Sequence, residues 1–157
     1  MRRAIGFIMP ILLSAGCTSG GPFAPVEDPG PPNGDKDRTL EYWHGLRGVM
    51  SQRATSDDLR ALANLIRQQS DTISGLPPDE VDPELVQAAV AVAKCQEKVI
   101  ELAEIADFQM AALRVSPALA GQFARANQEA SAAGKRLAAL HARLSARYGT
   151  TFAPFEK

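Results

Sequence analysis

From residue 35 onwards, apolar residues recur at steps of three and four, the spacing of one face of an α-helix. In Asp37–Arg53 the face is Leu40, Trp43, Leu46 and Met50. Gly45 and Gly48 weaken it, each by about 1 kcal/mol relative to alanine. Leu59, Leu62, Ile66, Ile73 and Leu76 prolong the same face. Thr55 or Ser56 can serve as an N-cap, and Asp57 and Asp58 suit the positive end of a new helix. Residues 37–74 therefore form either one helix with a kink near Ala54–Ser56 or two. Gly75 and Pro77-Pro78 end the segment.

A second helix starts after Val81. Asp82 can cap it, Pro83 is tolerated in its first turn and Glu84 favours the dipole. Leu85, Ala88, Val92, Cys95, Val99, Leu102, Ala106 and Leu113 form one seam, interrupted only by Gln109. Val86, Ala89, Ala93, Ile100, Ala103 and Met110 form a second strip beside it. Two strips allow this helix to touch two neighbours. Ser116-Pro117 then breaks the chain, and Ser116 can cap a last helix. Its seam is Leu119, Phe123, Ala126, Ala130, Ala133, Leu137, Leu140 and Leu144, with Gly149 as its end. Phe152 and Phe155 are expected to fold back onto the end of the assembly. The fold class predicted is all-α: an antiparallel three-helix bundle over residues 36–157, its first helix kinked or split, behind a disordered N-terminal tether. Each seam spans about four heptads, which argues against a long continuous coiled coil.

The chain before this domain differs in pattern. Arg2 and Arg3 precede an uncharged apolar run, Ala4–Leu13. A run of about ten residues is too short to cross a bilayer, which needs about 20, and has the length of a signal-peptide core. Small residues then lead to a cysteine, Leu13-Ser14-Ala15-Gly16-Cys17. This run resembles the lipobox of bacterial lipoproteins, with Ser14 where leucine is usual. The resemblance implies removal of residues 1–16 and acylation of Cys17, in effect a palmitate-bearing anchor. Thr18, where an aspartate would resemble an inner-membrane retention signal, points to the outer membrane if the organism has two. The alternatives are ordinary secretion after cleavage near Gly16, or an uncleaved anchor. Residues 17–35 read as the lipidated cysteine and a disordered linker. Pro22, Pro25, Pro29, Pro31 and Pro32 deny this stretch both helix and central strand.

Composition narrows function by exclusion. Loss of residues 1–16 lowers Lys+Arg from 17 to 15 against 18 acids, a net charge of −3. Nucleic-acid binding, which needs a basic footprint, is not expected. With Cys17 acylated, Cys95 has no partner in the chain, so a disulfide framework is excluded. Cys95 is then either a small core hydrophobe or a source of intermolecular disulfide. His44 and His141 lack companions at metal-ligand spacing, and no catalytic constellation, metal site or cofactor motif is evident.

Charge is unevenly shared. Asp79–Leu113 holds eight acids and two lysines, whereas Arg114–Tyr148 holds six basic residues and one acid, Glu129. Antiparallel packing would lay these opposite fields side by side. Arg125, Arg136 and Arg147 recur every eleven residues, about three turns, with Arg143 close by. This stripe either faces the acidic helix and water or meets an anionic partner such as lipid headgroups or peptidoglycan. Trp43 with Tyr42 is either an anchor at one end of the helices or a membrane-interface group. The chain ends in Lys157. In the murein lipoprotein of enteric bacteria, also a small helical lipoprotein, a terminal lysine is joined to peptidoglycan. That protein is one long helix, whereas prolines break this domain into several. The expected function is a membrane-anchored, non-enzymatic structural or interaction module of the cell envelope. The alternative is a cell-wall or anionic-surface binder that uses the arginine stripe.

Overall fold

A computed structural model describes residues 30–54, 58–111 and 116–155. The signal segment, Cys17, most of the linker, Thr55, Ser56, Asp57, Leu113 and Lys157 lie outside the described residues. Among the described residues the fold is all-helical and contains no strand. Its helices are α1 (Lys36–Met50), α2 (Leu59–Gly75), α3 (Pro83–Ala111) and α4 (Pro117–Tyr148). The expected three-helix arrangement is therefore corrected to four helices, because the segment 37–74 is divided.

The division is held at the end of α1. The last carbonyls of a helix have no partner within it. Here Arg53 Nη1 donates to the carbonyls of Met50, Ser51 and Gln52 at 3.2–3.3 Å. The buried side chain of Gln69, on α2, donates to the Val49 carbonyl at 3.0 Å. Asp58 occupies the N-cap position of α2. These bonds, local from Arg53 and longer-range from Gln69, satisfy the broken backbone without continuing the helix.

The other helix ends follow their sequence signals. The Asp35 carboxylate caps α1 by accepting from Arg38 N at 2.9 Å. Ser116 Oγ caps α4 by accepting from Leu119 N at 3.2 Å, with Pro117 in the first turn. Gly149 ends α4 in the left-handed region at φ 60°, which glycine adopts without strain.

Helix α3 is shared. One strip packs along α4, and the other meets α2 through Ala63, Ile66 and Ile100. The α3–α4 pair is antiparallel: Lys98 pairs with Glu129, and Glu84 with Arg143. Leu85, Val92 and Val99 are buried from one strip, Ala89, Ala93, Ile100 and Ala103 from the other. Leu119, Ala126, Ala133, Leu137, Leu140 and Leu144 bury the facing seam of α4. Alanines at the centre of this seam permit close approach of the backbones.

Helix α1 closes one end of this pair. Trp43 is 0% exposed and packs edge-on to Phe152, with ring centroids 5.9 Å apart, and against Phe155 at 4.7 Å. Its indole Nε1 donates to the Ala153 carbonyl at 2.8 Å. Trp43 is thus the end anchor, and its burial removes the membrane-interface reading. The tail after Gly149 folds back as its two phenylalanines suggested. No helix of the described residues is long and apolar enough to cross a membrane.

Candidate functional site

The densest polar cluster forms where the start of α3, the end of α4 and the lead into α1 meet. Asp82 is its centre and is 0% exposed. Its position follows from its capping role: Oδ1 accepts from Glu84 N at 3.0 Å. That bond turns Oδ2 towards α4, where Arg147 Nη1 donates to it at 2.6 Å and Tyr148 Oη at 3.1 Å. Arg147 Nη2 also donates to Glu84 Oε2 at 3.0 Å. Arg143 Nη1 lies 2.7 Å from the other Glu84 oxygen. On the α1 side, Asp82 N donates to Thr39 Oγ1 at 3.1 Å, and that hydroxyl donates to the Asp35 carbonyl at 2.7 Å.

The electrostatics follow from this geometry. Burial alone would lower the Arg147 pKa, but hydrogen bonds and charge from Asp82 and Glu84 outweigh it and raise it. Burial raises the Tyr148 phenol above its ordinary value, and the adjacent Asp82 carboxylate pushes the same way. A fully buried carboxylate is tolerable here because a guanidinium, a phenol and a backbone N–H all donate to it. Apart from Arg143 Nε, which is buried without a hydrogen-bond partner, the polar groups described here engage one another, so the cluster fastens three chain segments together.

Just upstream the backbone is tightly constrained. Glu80 adopts φ 62°, an uncommon left-handed conformation for a residue with a side chain. Its carbonyl accepts from Asp35 N at 2.6 Å. A Cβ on Gly34 would lie 2.7–2.8 Å from the backbone of residues 80–82. Glycine is thus required where the incoming chain crosses the start of α3.

The structure divides the arginine stripe. Arg143 and Arg147 are paired with acids at the start of α3. Arg125 and Arg136 are exposed and make no ion pair among the described residues. Arg136 and Arg143 edge an open groove of about 550 Å³ between α3 and α4, floored by alanines including Ala88, Ala91 and Ala133.

Cys95 is a free, partly buried thiol packed against the core. His44 is exposed, on the wall of an open cleft of about 510 Å³ between α1 and residues 76–81. His141 is half-buried, with Nδ1 2.7 Å from the Ala138 carbonyl. Among the described residues no group of three or more His, Cys, Asp or Glu side chains is placed to hold a metal.

Sequence reasoning took Asp82 for a helix cap and missed its second role. It also passed over Thr39 and Tyr148. One signal was present: Arg143 and Arg147 lie one turn apart on a helix that must run back past Glu84. Comparison of the chain with known protein families, characterised proteins and solved structures found no match.

Proposed function

We propose that this chain is a bacterial lipoprotein, acylated on Cys17, whose helical domain serves as a non-enzymatic structural or interaction module of the cell envelope. The observation that carries the reading is the run Leu13-Ser14-Ala15-Gly16-Cys17 behind two arginines and a short apolar core. In this reading α1–α4 form one antiparallel bundle over residues 36–157, and residues 17–35 hold it clear of the headgroups. The anchor lies in the outer membrane where the organism has two membranes. The clamped crossing of Gly34 over residues 80–82 supports a fixed exit point for the tether.

Metabolic labelling with a fatty-acid analogue tests the anchor. The wild-type chain is expected to take up label and fractionate with membranes, and Cys17→Ala to lose both. Equal label in the two chains, or none in either, overturns the reading.

A second reading is binding to peptidoglycan or an anionic surface, favoured by the exposure of Arg125 and Arg136. Its test is retention on purified peptidoglycan and on phosphatidylglycerol vesicles. The double variant Arg125→Gln, Arg136→Gln should lose that retention and keep its helical content. Arg143 and Arg147 are left intact because their removal would strand Glu84 and Asp82.

A further inference from the structure

The two most exposed large hydrophobic side chains among the described residues are neighbours. Phe108 is 77% exposed and Ile105 46%, both on the second half of α3. With Glu101, Glu104 and Gln109 they line one shallow depression of about 550 Å³. Positions 101, 104, 105, 108 and 109 follow helical spacing, so they form one continuous stripe. Its rim is acidic: Val99–Ala111 contains Glu101, Glu104 and Asp107 and no lysine or arginine. Arg67 of α2 reaches Glu104 at 2.6 Å, while Glu101 and Asp107 stay exposed.

We infer that this stripe is the docking surface for a protein partner that presents apolar side chains flanked by lysine or arginine. The inference rests on the reading of the domain as an interaction module and names its partner chemistry. An apolar centre with a charged rim is the anatomy of a specific interface, where the rim selects and orients the partner.

Other occupants fit the same stripe less well. An anionic membrane surface would be repelled by the acids. Two copies related by a two-fold axis would set Glu101 and Asp107 against the same acids. The chain's own linker crosses the start of α3, at Asp35 and Glu80. Phe108 lies 25 residues beyond Pro83 along the helix, about 38 Å away. Residues 18–33 bring Glu27 and Asp28 and no cation, so they offer the acidic rim no charge complement. On an anchored chain the stripe then sits at the end remote from the tether, where a separate envelope protein can approach it.

The test uses the full-length chain in its own cells, with a photoreactive phenylalanine analogue at Phe108 and, separately, at Arg136. Crosslinked peptides are sequenced. The expected product at Phe108 is a segment of another protein with apolar and basic residues together. Glu101→Lys with Asp107→Lys should lower its yield about tenfold, the effect of about 1.4 kcal/mol of lost rim attraction. A product with lipid, with a second copy, with the chain's own linker or with an acidic segment overturns the inference. So does an undiminished yield in the reversed-charge variant, or no product. If only Arg136 captures a protein, the module reading stands and this surface assignment fails. If neither position captures one, both fail.

Discussion

Arg147 and Asp82, 65 residues apart in sequence, meet at 2.6 Å with the carboxylate wholly buried and the guanidinium side chain 9% exposed. This contact joins the last turn of α4 to the first residue before α3. Breaking a buried pair by removing one partner leaves an uncompensated charge, which typically costs about 3–5 kcal/mol. Arg147→Ala is therefore expected to be strongly destabilising. Asp82→Asn retains the side-chain cap and leaves Arg147 with Glu84, so it should cost less. Denaturant unfolding of both variants checks the order; equal losses, or a larger loss for Asp82→Asn, would count against this account.

Trp43 is the single tryptophan of the chain, so its emission reports one site. Phe152→Ala opens a cavity beside its ring and should destabilise by about 3–5 kcal/mol. The Trp43 emission of the folded variant should move to longer wavelength as water reaches the indole. Unchanged emission would mean that Phe155 and the tail shield the ring without Phe152.

Two glycines should respond in opposite directions. Gly48 lies inside α1, and a Cβ there meets nothing within 4 Å. Gly48→Ala should raise stability by about 0.5–1 kcal/mol through helix propensity alone. At Gly34 an added Cβ would collide with the backbone of residues 80–82. Gly34→Ala should lower the melting temperature and speed hydrogen exchange at Asp35 N, which donates to the Glu80 carbonyl. Matching shifts in the two variants would contradict the crossing geometry.

Alkaline pH should weaken the fold. Burial raises the Tyr42 phenol above 10.0, and it raises Tyr148 with added help from Asp82. A folded-state pKa above the unfolded one means that the stabilisation is whole below about pH 10. It is lost as pH climbs through the folded values. Thermal melts from pH 8 to pH 11 should show a fall above about pH 10. Tyr42→Phe should flatten part of that fall, because a phenyl ring carries no ionisable proton. A slope identical to wild type would remove Tyr42 from the explanation.

Much of the helical architecture is written in local pattern. The period of apolar residues marks α3 and α4, and Ser116-Pro117 and Gly149 mark their ends, because capping and backbone strain act within a few residues. The double strip of α3 also shows that it has two neighbours. The split between α1 and α2 is only half legible. Pattern continues across it, while the bonds that hold it come from Arg53 nearby and from Gln69, 20 residues from the Val49 carbonyl that it engages.

The sequence alone determined the alternation of apolar and polar positions, the punctuation of the helices, and the arginine–apolar–cysteine order at its start. Each of these is a property of neighbours along the chain. Tertiary structure alone decided that Asp82 would be a buried junction, that Arg143 and Arg147 would be occupied while Arg125 and Arg136 faced water, and that Phe108 would lie open. Those outcomes depend on which faces meet in space, and partners 43 to 65 residues apart exert no local signal on the chain between them.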